Sequence, residues 1–227
     1  MNKATLILAV LSLAALNAWS QSVVTSFTNN TATVVPEGNL VGVTEPLDVS
    51  GLSGVISDVM VQLDITGGVN GNLYVFLAGP GGQLSVLLNR PGLSAGNPIG
   101  YSDAGFDITL DGQATNNIHE YQSGAYTTQA GQLTGTWAAD GRDLNPQSSG
   151  AAFDASNPTL GLNIFDGLAG ASENGMWTLF VADVAAGGGA PIIDQVILTV
   201  TTPEPATLAL AATALAAAYC FRRRTSA

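Results

Sequence analysis

Lysine is nearly missing from this chain. Its 227 residues hold six basic side chains and one histidine. Lys3 and Arg222 to Arg224 lie in the terminal stretches, so the span from Gln21 to Thr202 keeps two basic residues, Arg90 and Arg142, against sixteen acids, a net charge of −14. A surface of that sign repels nucleic acid and anionic lipid, because phosphate binding needs Lys or Arg to displace counterions. It favours solubility, and it leaves cations and neutral glycans as ligand classes. Cysteine is missing from the same span. The single Cys220 sits in the C-terminal apolar run, so the central part holds no internal disulfide and its stability has to come from packing or a bound metal. With His119 as the sole histidine, a zinc site has no support. Helical periodicity is missing as well: no stretch between residues 21 and 202 repeats its apolar positions at 3.6.

What is present is β-structure. In DVMVQLDIT, Val59, Val61, Leu63 and Ile65 alternate with Met60, Gln62 and Asp64, the period-2 mark of a strand with one buried face. GGVNG follows as a turn in which glycine and asparagine accept positive φ. NLYVFLAG is apolar on both sides, as a covered central strand would be. Pro80, Gly81 and Gly82 break it, and QLSVLLN resumes. MWTLFVAD and IIDQVILTVT add two strands around VAAGGGAP. Short strands with glycine-rich turns predict an all-β, antiparallel jelly-roll β-sandwich. About 180 residues suffice for one such domain. No segment recurs at fixed spacing, which argues against a repeat architecture.

The two ends read differently. MNKATLILAVLSLAALNAWSQS has one basic residue, an apolar run and an Ala-x-Ser exit at Ala18 and Ser20, the layout of a secretory signal cleaved between Ser20 and Gln21. The predicted organisation is a signal over 1–20, a polar lead over 21–39, a sandwich over 40–202 and a C-terminal signal over 203–227. In that last segment Ala206 to Phe221, sixteen residues, lie between Pro203–Glu204–Pro205 and Arg222–Arg223–Arg224. As a helix they span roughly 24 Å, short against a hydrocarbon core of about 30 Å. The arginines would stay cytoplasmic. The prolines would stop the helix and hold the approach extended. A marginal anchor with a stiff exposed motif suits temporary membrane insertion before cleavage; a permanent single-span anchor is the alternative.

Three stretches in order carry a resemblance. ISDVMVQLDITGGVNGNLYVFLAGPGGQLSVLLN, GFDITLDGQA and FDGLAGASENGMWTLFVADVAAGG are similar to the P (Homo B) domain of subtilisin-like proprotein convertases, over residues 40 to 201. The resemblance implies a jelly-roll β-sandwich. Asn72 stands where that family has the aspartate of Gly-Asp-Leu, and Gly112 where a second aspartate often follows Asp111. GGGAP replaces an often acidic turn after Asp183, and residues 133–146 form a longer insertion. The segment from Pro203 to Arg224 resembles the PEP-CTERM sorting signal. That resemblance implies an exosortase as processing enzyme, a Gram-negative-type host making exopolysaccharide, and delivery to the cell surface or extracellular matrix.

Catalysis is not expected. Convertases carry a subtilisin-like domain ahead of the P domain, and the short lead here has no room for one. GLSAG around Ser94 matches Gly-x-Ser-x-Gly, but it sits in RPGLSAGNP, a Pro/Gly loop with no helix pattern after it, whereas a nucleophile elbow joins strand to helix. His119 reads as a packed or surface residue, and one sequence cannot pair Glu120 with another acid across a cleft. Calcium is the sharper expectation, since hard cations gather carboxylate and carbonyl oxygens. Asp103, Asp107 and Asp111 fall four apart, and Asp64 and Asp183 stand near strand ends, with Asp111 and Asp183 the favoured ligands; turn capping is the plainer role. Trp137, Tyr121 and Tyr126 lie in or near the insertion and could stack on sugar rings, although Trp137, like Trp177, also fits a core. The expected function is a non-catalytic surface or matrix protein. The competing expectation is a calcium-dependent accessory module that binds a glycan or a protease.

Overall fold

The computed structural model describes residues 22–203. The segment read as a secretory signal, Glu204, Pro205, the apolar run with Cys220 and the arginine cluster lie outside the described residues. Ten strands form two sheets. The larger orders β1 (Ser22–Val34), β10 (Ile192–Pro203), β3 (Asp58–Thr66), β6 (Phe106–Asp111), β8 (Gln132–Trp137) and β7 (Thr127–Gln129). The smaller orders β2 (Val43–Val49), β9 (Gly175–Asp183), β4 (Leu73–Ala78) and β5 (Leu84–Asn89). The alternation read from sequence sets the packing. Val59, Val61, Leu63 and Ile65 of β3 and Val196, Leu198 and Val200 of β10 meet Leu73, Val75 and Leu77 of β4 and Trp177, Leu179 and Val181 of β9 in one buried core. Each such large side chain contributes about 1.5–3 kcal/mol by leaving water.

Three features depart from the expected plan. Residues 22–34, inside the segment read as a polar lead, form β1 and pair with β10 from Ser22↔Pro203 to Val34↔Ile192, with one bulge. The strand has no apolar alternation because it is a sheet edge with most side chains exposed or half-buried. Strands β6 and β8 run parallel, from Phe106↔Leu133 to Leu110↔Trp137. The crossover between them takes the chain through a 3-10 segment, Ile118–Ser123, so the sandwich is not purely antiparallel. One short α-helix, α1 (Gly150–Ala155), is capped by the Ser149 hydroxyl, which accepts from the Ala152 N–H. Among the described residues no helix is long and apolar enough to cross a membrane.

Candidate functional site

Strand β10 delivers the chain to its C-terminal motif. Thr202 is buried and Pro203, half-exposed, is its last residue. Gly54 passes so close to the Pro203 carbonyl that a Cβ there would sit 3.2 Å away. The motif therefore begins where the sheet stops.

His119 is held on every side. Asn117 caps its segment by accepting from the His119 N–H at 2.9 Å. The ring Nδ1 lies 2.7 Å from Asp140 Oδ2 and Nε2 lies 3.1 Å from the Leu93 carbonyl. Phe153 of α1 stacks on the ring at 5.6 Å. Asp140, fully buried, also accepts from the Asn89 N–H and from Arg142 Nη1 at 3.2 Å each. Arg142 reaches on to Glu120 Oε1 at 3.4 Å. The Ser94 hydroxyl instead accepts from the Asn97 N–H, and among the described residues no hydrogen bond joins Ser94 to His119. Both ring nitrogens are committed elsewhere. The cluster ties together three loops that share little regular structure.

The five aspartates read as metal ligands do not converge. Asp111 lies opposite Met60 near the start of β3, whereas Asp183 lies opposite Leu73 at the other end of the sandwich. Asp64 and Asp107 face each other across β3 and β6, and Gln132 Nε2 donates to Asp64 at 2.7 Å. Asp103 accepts from the Tyr121 hydroxyl at 2.9 Å and from Gln122 at 2.7 Å. Among the described residues no three His, Cys, Asp or Glu side chains gather as a metal site. Asp183 is fully buried, and among the described residues its Oδ2 has no hydrogen-bond partner. Burial pushes its carboxyl above the usual carboxylate range, against N–H groups of Ala185 and Gly38 and the Arg90 charge, which pull it down. Asp58 is raised by burial and by Asp111, and Asp166 by burial and by Asp58.

The aromatics expected to meet a sugar separate into two kinds. Tyr121 and Trp137 are core residues, 1% and 7% exposed, packed edge to face at 6.2 Å. Burial pushes the Tyr121 hydroxyl up, and Asn70 Nδ2 and Asp103 fix it. Both are thereby corrected from sugar contacts to packing residues. Tyr126 is exposed but rests against Tyr121.

A different aromatic group lies on the outer face of the four-stranded sheet. Tyr74 and Phe76 of β4 and Phe180 of β9 point away from the core. Phe76 and Phe180 are register partners with rings stacked at 4.7 Å. With Leu40 and residues 143–147 they line a groove of about 430 Å³. The sequence signal was NLYVFLAG, whose second apolar face belongs to this groove.

Comparisons with known proteins reach two parts of the chain. No curated protein sequence matches it. A chain in the crystal structure of the Aeromonas sobria serine protease with its chaperone is similar at 14% identity and a TM-score of 0.46, over 86% of this chain and 29% of that one. The structure of the Aeromonas sobria serine protease gives 13% and 0.43, over 86% and 30%. This chain thus spans about three-tenths of the length of those it resembles. Residues 201–224 match the family model of the PEP-CTERM protein-sorting motif.

Proposed function

We propose that this is an exported, non-catalytic surface protein, sorted by an exosortase-type enzyme and retained in an exopolysaccharide matrix. The observation that carries the reading is the sorting-motif match over residues 201–224. Two physical points support it. The apolar run is too short and alanine-rich to anchor strongly. Strand β10 ends at Pro203, so cleavage beyond that residue leaves every strand pairing intact. Transient insertion through the tail would hold the sandwich outside the inner membrane until processing. Replacing Pro203, Glu204 and Pro205 together by alanine tests this in the native host. The expected result is retention of unprocessed chain in the inner-membrane fraction; unchanged surface delivery would contradict it.

The second reading is a P-domain-like accessory module that binds its partner with calcium. Its support is the ordered convertase-like motifs and the buried, unpartnered Oδ2 of Asp183. The five aspartates do not supply a cage between them, so calcium at Asp183 would need carbonyl oxygens for most of its ligands. Calorimetric titration of Ca²⁺ into wild type and Asp183→Asn separates the readings: saturable heat lost in the variant favours the second, and no heat favours the first.

A further inference from the structure

We propose that the groove on the outer face of the four-stranded sheet binds a neutral glycan. The idea rests on the surface-display reading above and assigns a binding site to it. Outer faces of two-layer antiparallel sandwiches are normally polar. Here β4 and β9 place Tyr74, Phe76 and Phe180 on that face, all half-buried rather than covered. Exposed Leu40 extends the apolar surface at one rim.

The opposite rim carries polar groups open to solvent. Asp143 is exposed, and among the described residues its carboxylate and the Tyr74 hydroxyl have no hydrogen-bond partner. Burial and then Asp143 push that hydroxyl above its ordinary value, so it remains a neutral donor and acceptor. Gln147 Nε2 is taken by the Val184 carbonyl at 3.2 Å, which leaves its Oε1 as an acceptor. The Asn145 Oδ1 accepts from the Gln147 N–H, which leaves the Nδ2 group as a donor.

An apolar floor with a few convergent polar groups is the usual form of a small-ligand site. A pyranose has the complementary form, with C–H bonds on its faces and hydroxyls around its edge. A carboxylate accepts such hydroxyls through charge-assisted bonds. The net charge of −14 between Gln21 and Thr202, with Asp143 in the rim, opposes polyanions. The groove also lies on the smaller sheet, whereas β10 of the larger one ends at Pro203, which does not line it.

Affinity electrophoresis of the protein recovered from its host tests the assignment, with laminarin, galactomannan and hydroxyethyl cellulose in the gel and alginate as the polyanionic control. Retardation by at least one neutral polymer and none by alginate is expected. Phe180→Ala and Asp143→Ala should each weaken it at least tenfold. Asp143 is on the surface, so its variant stays informative if Phe180→Ala fails to fold. No retardation by any neutral polymer would overturn the proposal, as would retardation unaffected by Asp143→Ala. Concentration-dependent self-association abolished by Asp143→Ala would also overturn it, assigning the face to a second copy of the chain. Wild-type chain found only unprocessed in the inner-membrane fraction would count against the export reading and not against the groove.

Discussion

Ser22 and Pro203 are register partners at the end of the outermost strand pair of the larger sheet. The start of β1 and the end of β10 therefore stand side by side. Strand β1 also covers the edge of β10. Deleting residues 22–34 should cost about 3 kcal/mol through lost apolar contact such as that of Phe27, lowering the thermal midpoint by roughly 10 °C. The bared β10 edge should promote association. Calorimetry and size-exclusion chromatography check both effects; an unchanged monomer would contradict the role given to β1.

Asp140 is the hub of the buried polar cluster. Alanine there removes the acceptor for His119, Arg142 and the Asn89 N–H together. Removing one partner of a buried ion pair costs about 3–5 kcal/mol, so Asp140→Ala should be the most destabilising polar substitution in the domain. Ser94→Ala should shift denaturant midpoints little, because its hydroxyl only caps a local turn. Chemical denaturation of both variants tests the contrast.

Acidity should stabilise the fold rather than weaken it at first. Asp58, Asp166 and Asp183 all have carboxyls raised above the ordinary value of 3.8, with burial as the largest cause. A raised folded-state value means that the native state binds the proton more tightly than the unfolded chain. The cost of ionising these groups is fully present above their folded values. It is relieved as pH falls through them, and fully so below about 3.8. Thermal midpoints should therefore rise as pH falls from 7.5 toward about 3.8, helped by relief of net repulsion. Asp58→Asn should raise the midpoint at pH 7.5 and flatten the profile. A midpoint that falls steadily across that range would contradict these assignments.

Gly42 floors the outer face beside Phe180. Its φ is +57°, and a Cβ would sit 2.7 Å from Phe180 Cζ and also collide with the Val181 carbonyl. Gly42→Ala should cost more than about 1 kcal/mol from backbone strain alone, and should displace the Phe180 ring. Thermal melts give the first effect. Chemical-shift changes at Phe180 and Phe76 give the second.

Strands with one wet face were legible from residues alone. The alternation in DVMVQLDIT and IIDQVILTVT gave β3 and β10 with their buried faces. Strand β1 was not legible, because SVVTSFTNNTATV sits at an edge and its pattern follows hydrogen bonding rather than burial. Aspartate spacing could not show that β-sheet pairing carries Asp111 and Asp183 to opposite ends. Nor could it show that Asp103 is held by Tyr121, which arrives from the crossover before β7. In NLYVFLAG both apolar faces were visible, and β4 is indeed interior to its sheet. The partner of its outer face was not, since Phe180 lies more than a hundred residues on. The sorting segment was readable because its parts are contiguous: two prolines, an apolar run and three arginines.

The central claim is that this segment is an address removed by processing. Intact-mass measurement of the protein from its native host, with inner-membrane and extracellular fractions separated, tests it most directly. A chain beginning at Gln21, ending between Thr202 and Pro205 and found outside the inner membrane is the expected result. A mass that runs through Ala227 in the membrane fraction would make the segment a permanent anchor and contradict the account.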